Sequence, residues 1–367
     1  MATAEDSASP SAPSEWDADG APIPVTQTTT AGYAPPRYKL ESIIGMIVLA
    51  GFAAWIVASF IKGPRVFAQV LTIGLSNGAL YALIALGYTM VYGIIELINF
   101  AHGDLFMLGA VISAMFLEGV GQTSSSAVAW VWLGITMIVA MVSCSLINVI
   151  IEKLAYRRLR NAPKLAPLIT AVGVSFILQN IGIKLNGSAP HSRKSVLPQT
   201  SLHLGSITVD YRYIVVVAVT VPLLLLMTFI VQRTRVGKAM RATAQDRDAS
   251  LLMGINVDRI ISYTFALGGA LAGAAGVLFV QVNRETRYDL GFRLGLIAFT
   301  AAEHGGVGNL LGAVIGGVLI GVIQSLNDGA RLFAGQKWTQ TVMFSILIIM
   351  IIFRPGGIFG AHQQEKV

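Results

Sequence analysis

The sequence predicts an all-α fold, a polytopic transmembrane helical bundle of about 8–10 spans. Three observations carry this. Hydrophobic residues make up 54% of the 367 and charged residues only 12%, where a soluble domain carries roughly 25% charge. Apolar runs of about 18 residues or more recur, and about 20 helical residues cross the hydrocarbon. Lys and Arg gather in a few short stretches between the runs, as membrane orientation requires. Helices and closed barrels both satisfy the backbone in lipid, but alternating ten-residue segments are missing, so helices are expected.

Residues 1–36 form a separate zone, rich in Ala, Ser, Pro and Thr. It holds Glu5, Asp6, Glu15, Asp17 and Asp19 and neither Lys nor Arg. That composition reads as a disordered acidic tail. It is not a signal peptide, which needs a basic start followed directly by an apolar core. The apolar runs that follow are 42–61, 66–93, 99–118, 127–150, 167–185, 213–231, 259–280, 291–303, 310–326 and 339–353. The first places a transmembrane helix in 37–65. The eighth is short for a span and either crosses or re-enters.

Basic loops test this count. Lys153, Arg157, Arg158, Arg160 and Lys164 follow the fourth run; Arg233, Arg235, Lys238, Arg241 and Arg247 follow the sixth. If these lie inside, ten crossings put both termini in the cytoplasm. The segment 186–210 then faces out as a polar, solvated loop. Arg284, Arg287 and Arg293 fall on the outer side against the rule, offset only in part by Glu285 and Asp289.

Gly74 with Gly78, Gly269 with Gly273, Gly312 with Gly316 and Gly317 with Gly321 have the GxxxG spacing that lets helix backbones approach closely. Cys144 stands alone in an apolar run, so it offers neither an intrachain disulfide nor a metal framework and reads as a small packing residue. His102-Gly103 and His304-Gly305 are each followed by Leu-Gly-Ala-Val-Ile, which marks a possible duplication of the kind common in transporters.

The stretch NFAHGDLFMLGA, 99–110, sets ionisable groups into apolar surroundings. Two readings stay open. Glu96, Asn99, His102 and Asp104 line a water-filled path or a broken helix. Alternatively, Asn99 or His102 caps a helix and Asp104 sits by its positive end. Glu303 and His304 read as a short turn between two runs.

Between the sixth and seventh runs, QRTRVGKAMRATAQDRDASLLMGINVDRI is too polar to span. Residues 237–253 are good helix formers, and Gly254 is a natural stop. Ala242, Ala249 and Leu252 share a face, while Arg241, Asp246, Arg247 and Asp248 supply charge. Such a helix lies on the cytoplasmic side, either docking a soluble partner or simply resting at the interface. Enzyme signatures are missing: no phosphate loop, no HExxH and no Ser–His pairing. The net charge of +7 follows membrane orientation and does not point to nucleic acid.

These motifs resemble the branched-chain amino-acid permeases of ATP-binding-cassette importers, more narrowly the first of two permease subunits. NFAHGDLFMLGA looks like the family signature. GLSNGALYALIALGYTMVYGIIELI upstream, VGKAMRATAQDRDASLLMGINVDRI and the ending FRPGGIFG are similar to the family in the same order. The likeness makes 66–360 the permease domain, leaving 37–65 as an extra helix and 361–367 as a tail. It implies a second, similar permease, two cytoplasmic ATPases, a periplasmic substrate-binding protein and an inner-membrane location. It implies no catalysis and no cofactor in this chain, with ATP used by the partners. The 237–254 segment would be the cytoplasmic coupling helix, with Arg241, Asp246, Ala249, Leu252 and Gly254 as its contacts. Asn77 joins Glu96, Asn99, His102 and Asp104 as candidates for the substrate path. Urea or short-amide permeases share the HG signature and are the nearest alternative cargo class. A proton-coupled secondary transporter, with Glu96, His102 or Asp104 as relay, is the alternative of another class; a structural scaffold is the third.

Overall fold

A computed structural model describes residues 51–357, apart from 118–125, 330–334 and isolated positions. The expected tails 1–36 and 361–367, and most of the expected helix in 37–65, lie outside the described residues. What is described is almost all helix. Among the described residues, seven helices are long and apolar enough to cross a membrane.

Helix α1 runs Pro64–Ile95, with proline in its first turn, where a missing N–H costs nothing. It ends at Glu96, whose N–H donates to the Tyr92 carbonyl at 2.7 Å. A short α2, Ala101–Leu117, follows. Helix α3, Ser126–Ile151, continues through a π turn, Glu152–Tyr156, to Leu159. Helix α4 is Leu165–Asn186 and α5 is Tyr211–Arg233. Two short helices come next, α6 (Arg235–Gln245) and α7 (Arg247–Leu252). Helix α8, Val257–Asn283, is capped by the Asn256 side chain, which accepts from Arg259 N–H at 3.1 Å. Then come α9 (Leu290–Gly305), α10 (Leu310–Gly329) and α11 (Thr339–Phe353).

Helices α1, α2 and α8 form the centre. They are apolar on all sides and almost wholly enclosed, as an apolar-all-round helix must be. Helices α3, α4, α5 and α11 lie outside them and keep broad apolar faces open, for example Leu225, Phe229 and Ile352. The GxxxG pairs do what their spacing predicts. A Cβ at Gly78 would lie 2.7 Å from Val318 Cα, so α1 and α10 touch backbone to backbone; Gly273 meets Ala140 of α3 in the same way. Cys144 is a buried packing residue whose thiol donates to the Leu105 carbonyl at 3.3 Å.

The ends of the helices sort onto two faces. On one, Arg247 of α7 donates to the Ile94 carbonyl at 2.8 Å, and Arg160 meets Asp258 at 2.6 Å. On the other, the segment expected to be a solvated loop is folded. Strand β1 (His191–Ser192) pairs antiparallel with β4 (Glu285–Thr286), and β2 (Ser201–Leu204) forms a hairpin with β3 (Ile207–Asp210). The Gln281 side chain accepts from Val196 N–H at 3.0 Å and ties the segment to α8. Helix α9 begins after β4, and its last glycine packs on Gly312 at the start of α10. The short eighth run begins inside the bundle, where Gly291 packs against Asp104.

A pseudo-twofold relation links α1–α4 to α8–α11. In each set a long helix ends on a left-handed, non-glycine residue, Glu96 (φ 57°) or Arg284 (φ 55°), and a short helix follows. Helix α1 packs on α10 as α8 packs on α3, and α2 crosses α9. The long helices run in opposite directions, because α1 ends and α8 begins on the α6–α7 face. This is not the duplication expected from the HG motif. His102 opens α2 within one continuous helix, whereas His304 closes α9 and its Leu-Gly-Ala-Val-Ile belongs to α10. Gly291, not Gly305, is the counterpart of Gly103.

Candidate functional site

The segment 96–104 turns on the α6–α7 face and enters the centre of the bundle. Glu96 is exposed at the end of α1. Asn99 is buried, and its side-chain oxygen accepts from Tyr156 Oη at 2.9 Å instead of capping α2. His102 is likewise no cap. Its fully buried ring fills the gap between Gly87 and Gly268, edge-on to Tyr88 with centroids 4.6 Å apart. Asp104 is fully buried in the first turn of α2, where free N–H groups favour negative charge. Ser175 and Gln179 of α4 lie beside its carboxylate. Neither carboxylate oxygen, and neither nitrogen of His102, closes a hydrogen bond of good geometry among the described residues. Asn77 is half-buried on α1. The expected path residues are therefore split. Asn77 and Glu96 reach open surface, while Asn99, His102 and Asp104 are packed between helices where α2 crosses α1, α8 and α9.

The π turn supplies the partner of Asn99. Its wider turn points Tyr156 inward and buries Glu152. Ser262 Oγ donates to Glu152 at 2.7 Å, Arg157 stands 3.5 Å from it, and Arg160 bonds both Glu152 and Asp258. Sequence reasoning assigned these arginines to orientation only. A carboxylate on the face of a helix that leads into a basic run was the available signal.

The segment expected as one helix over 237–253 is two. Asp246 breaks it in an extended conformation (φ −155°, ψ 116°) and caps α7, accepting from Asp248 and Ala249 N–H at 2.9 and 3.0 Å. A capping side chain competes with the helix interior for the backbone, so a good N-cap in mid-segment starts a new helix. Arg241 donates to the Val231 carbonyl and so caps the end of α5. Gly237 lies flat against Val231. Thr234 ends α5 and caps α6, accepting from Gly237 N–H at 3.1 Å. Arg241 and Asp246 thus hold the element together. Ala249 is exposed, Leu252 and Met253 project from the tip at 89% and 81% exposure, and Gly254 (φ +79°) makes the stop. The braced element thus ends in an exposed apolar tip.

The third feature is the open face of α9, which sequence reasoning did not select. Arg293, Leu296, Phe299 and Glu303 follow one stripe down the helix. Arg293 is exposed and the others half-buried. Phe299 meets Phe100 and Tyr88 at centroid distances of 6.3 and 6.2 Å. At the outer end, Tyr81 Oη donates to Gln324 Oε1 at 2.6 Å.

Such an arrangement, with helices crossing on glycine and a braced surface at one face, defines a multi-pass helical membrane protein of the transporter type. The chain belongs to the family described as branched-chain amino acid transport system, permease component, whose model matches residues 70–352. It is 37% identical over 305 residues to the high-affinity branched-chain amino acid transport system permease protein BraD of Pseudomonas aeruginosa, covering 82% of this chain and 98% of that one. The permease protein LivH of the corresponding Escherichia coli system is also 37% identical, over 311 residues, with the same coverage. A ribose import permease of Escherichia coli is 27% identical over 130 residues, 34% of this chain and 40% of its own. No solved structure matches.

Proposed function

We propose that this chain is a membrane subunit of an ATP-binding-cassette importer that brings branched-chain amino acids across the inner membrane. One observation carries the reading: 37% identity along nearly the whole length of permeases named for that transport. The chain pairs with a second permease. Two cytoplasmic ATPases seat against the α6–α7 tip, and a substrate-binding protein delivers cargo to the hairpin face. This chain performs no chemistry, and ATP is hydrolysed by its partners. Both termini lie in the cytoplasm with the α6–α7 face, and the clustered Arg157, Arg158, Arg160, Arg233 and Arg235 support that orientation.

Within this reading, Arg241 and Asp246 position the contact surface, and Ala249, Leu252 and Gly254 belong to it. Asn77 and Glu96 stand at the two ends of the path. Asn99, His102 and Asp104 act between helices, at crossings that shift when the path switches sides.

The test is uptake of labelled leucine, with labelled urea alongside, in a strain lacking this chain. The intact chain restores leucine uptake, and Leu252→Asp with Gly254→Val does not, although that variant reaches the membrane. Urea uptake in place of leucine keeps the importer and changes its cargo. Equal flux from both forms removes ATPase coupling and makes a secondary transporter the better reading.

A further inference from the structure

Apart from Arg293, the arginines on the hairpin face have evident partners: Arg212 pairs with Asp210, and Arg193 donates to Asn186 Oδ1 at 2.6 Å. Arg287 is ion-paired with Asp289 at 2.6 Å, and Arg284 lies within electrostatic reach of Asp210. Arg293 differs. It stands about one turn inside α9, exposed, with no ion pair among the described residues. A charged group at membrane depth is costly and is kept where it faces a water-filled space or a partner charge.

Gly305 meets Gly312 and Ala301 meets Gly316, so the second half of α9 runs antiparallel to α10; its first half lies on α2, with Gly291 against Asp104 and Gly295 against Gly103 and the Tyr88 hydroxyl. Seven residues from Tyr88 on α1, the Tyr81 hydroxyl is held by Gln324. Asp328 lies one turn beyond Gln324 on the same face of α10, and Asn77 one turn beyond Tyr81 on the same face of α1. The charges of both Arg293 and Asp328 reach the Tyr81 hydroxyl. A cation, an anion, an amide and a phenol therefore converge at the outer end of the half-open stripe. Below them the stripe is apolar through Leu296 and Phe299, down to Glu303.

This matches the chemistry of a free amino acid with an apolar side chain. The carboxylate needs a forked donor, which guanidinium provides better than ammonium. The ammonium needs an anion nearby, and the side chain needs an apolar wall. Building on the importer reading, we propose that the open stripe of α9 is this chain's wall of the transport path and that Arg293 holds the substrate α-carboxylate at its outer end. The proposal also explains why an arginine is kept on the side where orientation disfavours it.

The experiment uses the complete importer in proteoliposomes, with this chain assembled with its own permease, ATPase and binding-protein partners. The readout is leucine imported per ATP hydrolysed, for the unaltered chain, Arg293→Gln and Arg293→Lys. Arg293→Gln should lower that ratio about 10- to 100-fold, the size of a lost charge-assisted hydrogen bond. Arg293→Lys should retain the larger part. A misfolded fraction lowers import and hydrolysis together and leaves the ratio alone, so an unchanged ratio overturns the site. Equal losses for both variants also overturn it, because the charge would then be irrelevant. If the unaltered importer carries no leucine, isoleucine or valine, the importer reading fails first, before any variant is compared.

Discussion

Single residues decide how closely the central helices can cross. Gly87 and His102 are the sharpest case, since a Cβ at residue 87 would lie 2.6 Å from Nε2 of the imidazole. Gly87→Ala should therefore destabilise the protein by about 1–3 kcal/mol through overpacking. Adding His102→Ala frees the space the methyl needs, so the double variant should melt higher than Gly87→Ala alone in detergent. A double variant that melts lower would mean that the ring is held by something other than this gap. A second residue, Asp210, gives a pH dependence outside the membrane. Its side chain caps α5, accepting from Arg212 N–H at 3.0 Å, and the Arg212 guanidinium beside it holds the carboxyl below the usual carboxylate range. Because the folded value is depressed, the pair's stabilisation is present above about pH 4 and is lost as pH falls through the lowered value. Asp210→Asn should flatten that part of the acid melting curve. If it leaves the curve unchanged, Asp210 carries none of the acid sensitivity. These contacts were not legible in the sequence. Asn99, His102 and Asp104 announced themselves as polar groups in apolar surroundings, but a cap and a buried wedge share that pattern. Only the position of Tyr156, far along the chain, separates them.

At the scale of elements, apolar periodicity located the long helices and α2 and α9 to within a few residues, and the polar segment 237–253 was read as one helix where α6 and α7 stand. Periodicity could not foresee the break at Asp246 or the π turn. Both are local contests that a tertiary partner decides: the braced α6 in one case, and the triad of buried Glu152 with half-buried Arg160 and Ser262 in the other. The strands in 186–210 were hidden for a similar reason. Polar composition looks the same in a solvated loop and in a folded segment whose Val196 is tied down by Gln281. The triad joins the end of α3 to the start of α8 and carries its own prediction. Glu152→Gln leaves Arg160, whose side chain is 12% exposed, beside a neutral group. Removing one partner of a buried pair costs about 3–5 kcal/mol, whereas replacing both by apolar groups is often neutral. The single variant should thus lower the melting temperature clearly, and Glu152→Gln with Arg160→Met should recover much of the loss. A double variant as unstable as the single would mean that Arg160 matters mainly through Asp258. Arg247 joins elements in another way, by bonding the last turn of α1 from α7. Its replacement by Ala should loosen the tip that carries Leu252 while leaving the central helices packed.

At the largest scale, the described helices include two oppositely oriented sets that interlock where α1 packs on α10, α8 on α3 and α2 on α9. Gly103 and Gly291 lie at the α2–α9 crossing, and a Cβ on Gly103 would come within 2.8 Å of Gly295 Cα. Contact this close leaves no room for a side chain on either helix. The sequence hid this relation because the sets share backbone geometry rather than residues. Glu96 and Arg284 occupy equivalent left-handed turns with opposite charge. Chain direction now makes a prediction that composition alone could not. The bond from Arg247 to Ile94 puts Glu96 and Leu252 on one face, and α5 separates both from His203 of the hairpin. Single cysteines at these three positions, in a Cys144→Ala background, should divide two to one. A membrane-impermeant maleimide added to intact cells stripped of outer barriers should label His203→Cys. It should reach Glu96→Cys and Leu252→Cys only after the membrane is opened. Cys144 is fully buried, so its removal should not disturb the pattern. Labelling of Glu96→Cys from the same side as His203→Cys would contradict the opposed orientation of α1 and α8.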